Sequence, residues 1–84
     1  MQITVRYFAG LREQAGTDTV ELAWEGPPPT VMQVRERLAA AYPELAPHLL
    51  ERPLLVAVNR EYAAADAVLA DGDELALLPP VTGG

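Results

Sequence analysis

Residues 2–8, Gln2-Ile3-Thr4-Val5-Arg6-Tyr7-Phe8, alternate along the chain. Ile3, Val5 and Tyr7 fall on one face of an extended segment, and Thr4, Arg6 and Phe8 on the other. The pattern predicts a first strand with the Ile3 face in the core. Phe8 then stands on the polar face, an unusual place for a large aromatic. Residues 9–16 predict a connector with one helical turn over 11–14, stopped by Gly16. Alternation resumes over 19–24 with Val20, Leu22 and Trp24 inward. These two strands are expected to pair as a hairpin with a long loop.

Glu25-Gly26-Pro27-Pro28-Pro29 breaks the alternation. It reads as a stiff loop before a helix, in preference to a polyproline ligand. Thr30 is a good N-cap, and Gln33 three residues on completes a capping-box pattern. A helix is predicted over 31–42, with Val31, Val34, Leu38 and Ala41 as its apolar stripe and Arg35, Glu36 and Arg37 toward water. Pro43 ends it.

Residues 43–53 form a connector in which Leu45, Leu49 and Leu50 suggest a short helical turn. It holds His48, the only histidine, which has no acid or nucleophile partner in sequence and is read as a surface residue. Leu54-Leu55-Val56-Ala57-Val58 is a continuous apolar run between Pro53 and Asn59, the pattern of a buried strand. Residues 59–62 read as a turn into a short strand. Asp71-Gly72-Asp73 lacks the further acids of a calcium loop and reads as a turn.

The last strand, over 74–78, places Leu75 and Leu77 on one face and Ala76 and Leu78 on the other. Phe8 and Leu78 are then two apolar groups on one outward face, at the ends of strands expected to lie side by side. They are the candidate docking patch. The order is strand, strand, helix, strand, short strand, strand. One helix must cover one face of a mixed sheet, which is an α+β domain of the ubiquitin-like, β-grasp kind. The expected division is a domain over 1–78 and a tail over 79–84.

The tail, Pro79-Pro80-Val81-Thr82-Gly83-Gly84, carries no side-chain charge. Its prolines cannot donate to a sheet ladder, so they stop the strand and stiffen the exit. Six extended residues reach at most about 20 Å, enough to enter another protein's pocket. Gly83 and Gly84 pass where a Cβ would clash. The chemistry on offer is the Gly84 α-carboxylate, which is ionised at neutral pH and a poor electrophile until activated.

Composition narrows the choices. The 84 residues make one domain, with a formal charge of −6 from 12 acids against 6 bases, all of them arginine. An acidic chain without a basic stripe is a poor nucleic-acid binder. Its net charge suits a partner with a basic docking surface, and equally serves solubility. With no cysteine, disulfides, zinc–thiolate sites and any side-chain thiol are excluded. No apolar run approaches the ~18 residues that span a membrane, and the first residues lack the basic start and apolar centre of a signal peptide. The cytosol is the expected compartment, with no membrane partner.

Tyr7-Phe8-Ala9-Gly10-Leu11-Arg12-Glu13, Leu55-Val56-Ala57-Val58-Asn59, and Asp71-Gly72-Asp73-Glu74 running on to the terminal Pro-Pro-Val-Thr-Gly-Gly resemble the MoaD/ThiS family of sulfur carriers. The likeness is strongest to the molybdopterin synthase small subunits, MoaD, and spans essentially the whole chain. The thiamine carriers, ThiS, look shorter and lack the Phe-Ala-Gly-Leu-Arg-Glu type of stretch. The chain departs from the family in Pro27-Pro28-Pro29 and in Leu77-Leu78, where aromatics are common.

The resemblance implies that a MoeB-like activating enzyme uses ATP to adenylate Gly84. Sulfur from a sulfurtransferase then gives a C-terminal thiocarboxylate. The tail, Pro79 to Gly84, enters a MoaE-like large subunit and passes sulfur to cyclic pyranopterin monophosphate. The small subunit is not an enzyme on its own. It binds no cofactor or metal, and catalytic side chains belong to its partners. Two alternatives stand: a ubiquitin-like modifier joined to lysines through Gly84, and a sulfur carrier for thiamine or tRNA thiolation.

Overall fold

The computed structural model describes residues 1–80. Strand β1 (Gln2–Tyr7) leads into helix α1 (Ala9–Ala15) and strand β2 (Thr19–Ala23). Helix α2 (Val31–Ala41) follows, then a 3₁₀ turn (Pro43–Leu45) and a π-helical turn (Pro47–Glu51). Strands β3 (Leu55–Val58), β4 (Glu61–Tyr62) and β5 (Glu74–Leu78) complete the domain. They form one sheet in the order β2-β1-β5-β3-β4. The first and last strands lie parallel at its centre, and every other pairing is antiparallel. This is the ubiquitin-like β-grasp.

The alternation in β1 sets the core. Ile3, Val5 and Tyr7 are buried, as are Leu75 and Leu77 of β5 beside them. They pack against Val31, Val34 and Leu38 of α2, with Leu11, Leu45, Leu49 and Leu69 closing the edges. The capping box at Thr30 is complete: Gln33 N–H donates to the Thr30 hydroxyl at 3.2 Å, and Thr30 N–H donates to Gln33 Oε1 at 2.8 Å. The next two amides donate to Ala67 and Ala65 carbonyls at 2.9 Å, so the 63–70 loop satisfies the helix start.

Four expectations change. The first strand ends at Tyr7, and Phe8 becomes the N-cap of α1, still extended at φ −131° and ψ 158°. The helical turn expected over 11–14 is a longer helix, closed by left-handed Gly16 whose N–H donates to Arg12 O at 3.0 Å. In α2 the buried face runs through Arg35 and Ala39, while Ala41 is exposed. The wide stripe at i, i+3, i+4, i+7 and i+8 serves a globular helix, because the two turns after α2 fold back along its 35/39 side. The β3 run is not buried throughout: Leu55 is 47% exposed, since the sheet is covered on one face only.

Asp71 and Asp73 are structural. Asp71 Oδ1 accepts Gln2 N–H at 2.7 Å, and Asp73 Oδ2 accepts Ala70 N–H at 2.7 Å. Both carboxylates hold the turn into β5. No helix among the described residues is long and apolar enough to cross a membrane.

Candidate functional site

The sheet face away from α2 carries the side chains of alternate residues on four strands. Register puts Arg6, Ala76, Ala57 and Tyr62 in one cross-strand row. Leu78 lies opposite Leu55 in the next row, at the end of the sheet where β1 leads into Phe8. Two alanines in the middle of a row leave a hollow between taller neighbours. The result is a concavity of about 410 Å³, floored by Ala57 and Ala76 and walled by Phe8, Leu78 and Tyr62. Arg6, Arg60 and Glu74 form its polar rim.

The two sequence-predicted docking residues, Phe8 and Leu78, therefore line one concavity, and both are half-buried. Tyr62 beside them is 79% exposed. Arg6 reaches Glu74 at 3.8 Å and holds its guanidinium 5.9 Å from the Phe8 ring centre. At these distances, in partial solvent, the pair adds little to stability. Sequence reasoning missed Leu55, Ala57, Tyr62 and Arg60 as parts of this surface. The turn into a short strand over 59–62 was an available signal, but the apolar run over 54–58 hides which of its residues face outward.

Strand β5 delivers Leu78 to this face and continues into Pro79 and Pro80, both half-buried. The two prolines line a second groove, of about 320 Å³, with Gly10, Pro53, His48 and Arg52. The His48 ring nitrogen Nδ1 lies 3.4 Å from Arg52 Nη1. His48 is half-buried there rather than fully on the surface. The remaining tail residues named from sequence, Val81, Thr82, Gly83 and Gly84, lie outside the described residues.

A third, smaller cleft of about 80 Å³ lies between Tyr7, Tyr42, Thr17 and Glu44. The Tyr7 hydroxyl is buried there without a hydrogen-bond partner among the described residues. Burial, and then the Tyr42 phenol beside it, push its pKa up to about 12, so it stays protonated and is no general base at neutral pH. The described residues thus offer a shaped binding face next to the start of the tail. They bring no nucleophile and base together.

The profile described as the ThiS family matches residues 5–84. This chain belongs to the ThiS family. It is 45% identical over 82 residues to the molybdopterin synthase sulfur carrier subunit of Escherichia coli K12, covering 98% of this chain and 99% of that protein. It is 39% identical over 85 residues to small archaeal modifier protein 1 of Haloferax volcanii, covering 94% and 97%. The crystal structure of SAMP1 from Haloferax volcanii superposes with a TM-score of 0.84 at 36% identity, covering 100% of both chains. In this ThiS-family chain the concavity sits on the sheet face that the helices leave open.

Proposed function

We propose that this chain is the sulfur carrier and small subunit of a molybdopterin synthase, active through Gly84. The observation that carries the reading is continuity: β5 gives Leu78 to the concave face and runs straight into Pro79-Pro80. A protein seated on that face is in position to receive the tail. Full-length similarity to the Escherichia coli sulfur carrier subunit supports the pathway.

In this reading the Gly84 carboxylate attacks the α-phosphate of ATP on a MoeB-like enzyme and displaces pyrophosphate. A sulfur nucleophile supplied by a sulfurtransferase then displaces AMP, leaving a thiocarboxylate. The tail, with Pro79, Pro80, Val81, Thr82 and Gly83 as its stem, enters a MoaE-like large subunit. There the thiocarboxylate sulfur bonds to cyclic pyranopterin monophosphate, and water then cleaves the acyl–sulfur bond, leaving the sulfur on the pterin and returning Gly84 to a carboxylate. A chain with no cysteine has no other place to carry the sulfur. The carrier holds no cofactor of its own, ATP being bound by the activating enzyme. The cytosol is its place of work.

The test is intact and tail-peptide mass after incubation with the activating enzyme, ATP and a sulfur donor. Oxygen-to-sulfur exchange on the C-terminal peptide is the expected result, and its absence overturns the carrier reading. A second reading, a protein modifier joined to lysines through the same activated Gly84, is favoured by the similarity to small archaeal modifier protein 1. Isopeptide adducts in native cells, without a large subunit co-purifying, would decide for it.

A further inference from the structure

The β3–β4 hairpin turns on two residues, Asn59 and Arg60, with φ of 50° and 71°. Both central residues at positive φ mark the tight hairpin turn whose twist matches that of the strands. Asn59 is locked into it by Asp73 and by Glu74, the first residue of β5. Its Nδ2 donates to Asp73 Oδ1 at 2.9 Å, its Oδ1 accepts Glu74 N–H at 2.9 Å, and its own N–H donates to Glu74 O at 2.8 Å. With Asn59 fixed, the next residue has no choice but the left-handed region. Glycine is the preferred residue there, and arginine brings a Cβ into a conformation that L residues avoid.

Nothing in the domain rewards that arginine. Arg60 is exposed, and among the described residues its side chain makes no hydrogen bond and no ion pair. What it does have is position, on the rim of the concavity. The net charge of −6 argues for a basic partner, yet this rim carries Arg6 and Arg60 against Glu74 alone. Arg6 already faces Glu74 at 3.8 Å, which leaves Arg60 as the uncommitted cation.

We propose that Arg60 is a partner-reading residue, whose guanidinium takes an Asp or Glu carboxylate on the protein that docks against the Ala57–Ala76 hollow. The occupant is a protein surface with an apolar projection for the hollow and an acidic side chain beside it. This rests on the docking reading given above, with the large subunit as the occupant. Such a rim charge acts on association rate and on salt dependence, and sets which partner is accepted.

The test sets stability against binding, using the full chain and its large subunit. Arg60→Gly relieves the left-handed strain and is expected to raise Tm by about 4–8 °C. The same change is expected to weaken large-subunit binding about three- to tenfold at low salt, with the gap closing by about 0.5 M salt. Arg60→Lys keeps wild-type affinity to within about threefold, and Arg60→Ala loses affinity without gaining Tm. Arg60→Gly that binds like wild type at every salt concentration overturns the assignment, while the docking reading survives if Phe8→Ala still weakens binding. A fall in Tm for Arg60→Gly overturns the strain argument. A wild-type chain that does not bind the large subunit overturns both readings together.

Discussion

Arg35 donates its Nε–H to the carbonyl oxygen of Leu49 across 2.8 Å, inside the fold. The bond ties α2 to the π-helical turn that follows it. Burial lowers the guanidinium's pKa, a measure of what desolvation costs the charge. Arg35→Ala removes a charged donor and leaves the Leu49 carbonyl unpaired, which is expected to cost about 2–3 kcal/mol. Arg35→Met replaces the stem but not the donor and should recover only part of that. Urea unfolding of the two variants measures both numbers.

Tyr7 is expected to behave in the opposite way. Its buried hydroxyl has no partner among the described residues, so Tyr7→Phe should leave stability unchanged or raise it by about 1 kcal/mol at neutral pH. The phenol also sets an alkaline limit. Its folded pKa of about 12 lies above the ordinary value of 10.0, so the unfolded chain releases this proton first. Stability from Tyr7 is therefore complete below pH 10.0 and is lost as pH rises toward about 12. At 1.36 kcal/mol per pKa unit the loss approaches about 2–3 kcal/mol. Denaturant unfolding across that window should fall steeply in the wild type and less steeply in Tyr7→Phe.

The two residues also mark what the sequence makes legible. Tyr7 sits in a clean alternation, and a period of two assigns every residue of β1 to a face. That was enough to foresee the buried Ile3, Val5 and Tyr7 and the outward Phe8. Arg35 offers no such signal. In the helix it reads as one more charge between polar neighbours, and only the folding back of the 43–51 segment brings it a carbonyl. Leu69 is buried from a loop with no periodicity, and Leu55 is outward from a run that looks uniformly buried. Pairing with Leu78 across the sheet decides Leu55, and contacts with distant segments decide Leu69, whose N–H donates to Pro29 O, and Arg35; local pattern encodes none of these.

Removal of Gly84 is expected to abolish thiocarboxylation while leaving the thermal melt unchanged, because the core is built from residues 3–77. Addition of one residue after Gly84 should have the same effect, since the carboxylate would then sit one position too far along the tail. Mass spectrometry of the tail peptide reads the first outcome, and calorimetric melting reads the second.

Filling the hollow tests the docking face directly. Ala57 and Ala76 are register partners at its floor, so Ala76→Phe places a ring where the partner's projection would sit. Ala76 is half-buried on the open face, so the larger side chain projects outward and the core is untouched. Large-subunit binding is expected to fall at least tenfold with Tm nearly constant.

The final expectation separates the two faces of the sheet. Phe8 and Leu78 line the concavity and are only half-buried in the free protein, whereas Leu77, next in sequence to Leu78, is wholly enclosed. Burying a large apolar side chain contributes roughly 1.5–3 kcal/mol. Phe8→Ala and Leu78→Ala should therefore weaken large-subunit binding by about 1–3 kcal/mol, up to a hundredfold at 1.4 kcal/mol per decade. Their melts should move little, because substitutions outside the core usually stay within about 0.5 kcal/mol. Leu77→Ala opens a core cavity and should cost about 2–5 kcal/mol of stability. Isothermal titration and thermal melts on the three variants give the contrast. Binding unchanged in Phe8→Ala and Leu78→Ala, with their melts collapsed as in Leu77→Ala, would mean that these side chains hold the fold and that the partner docks elsewhere.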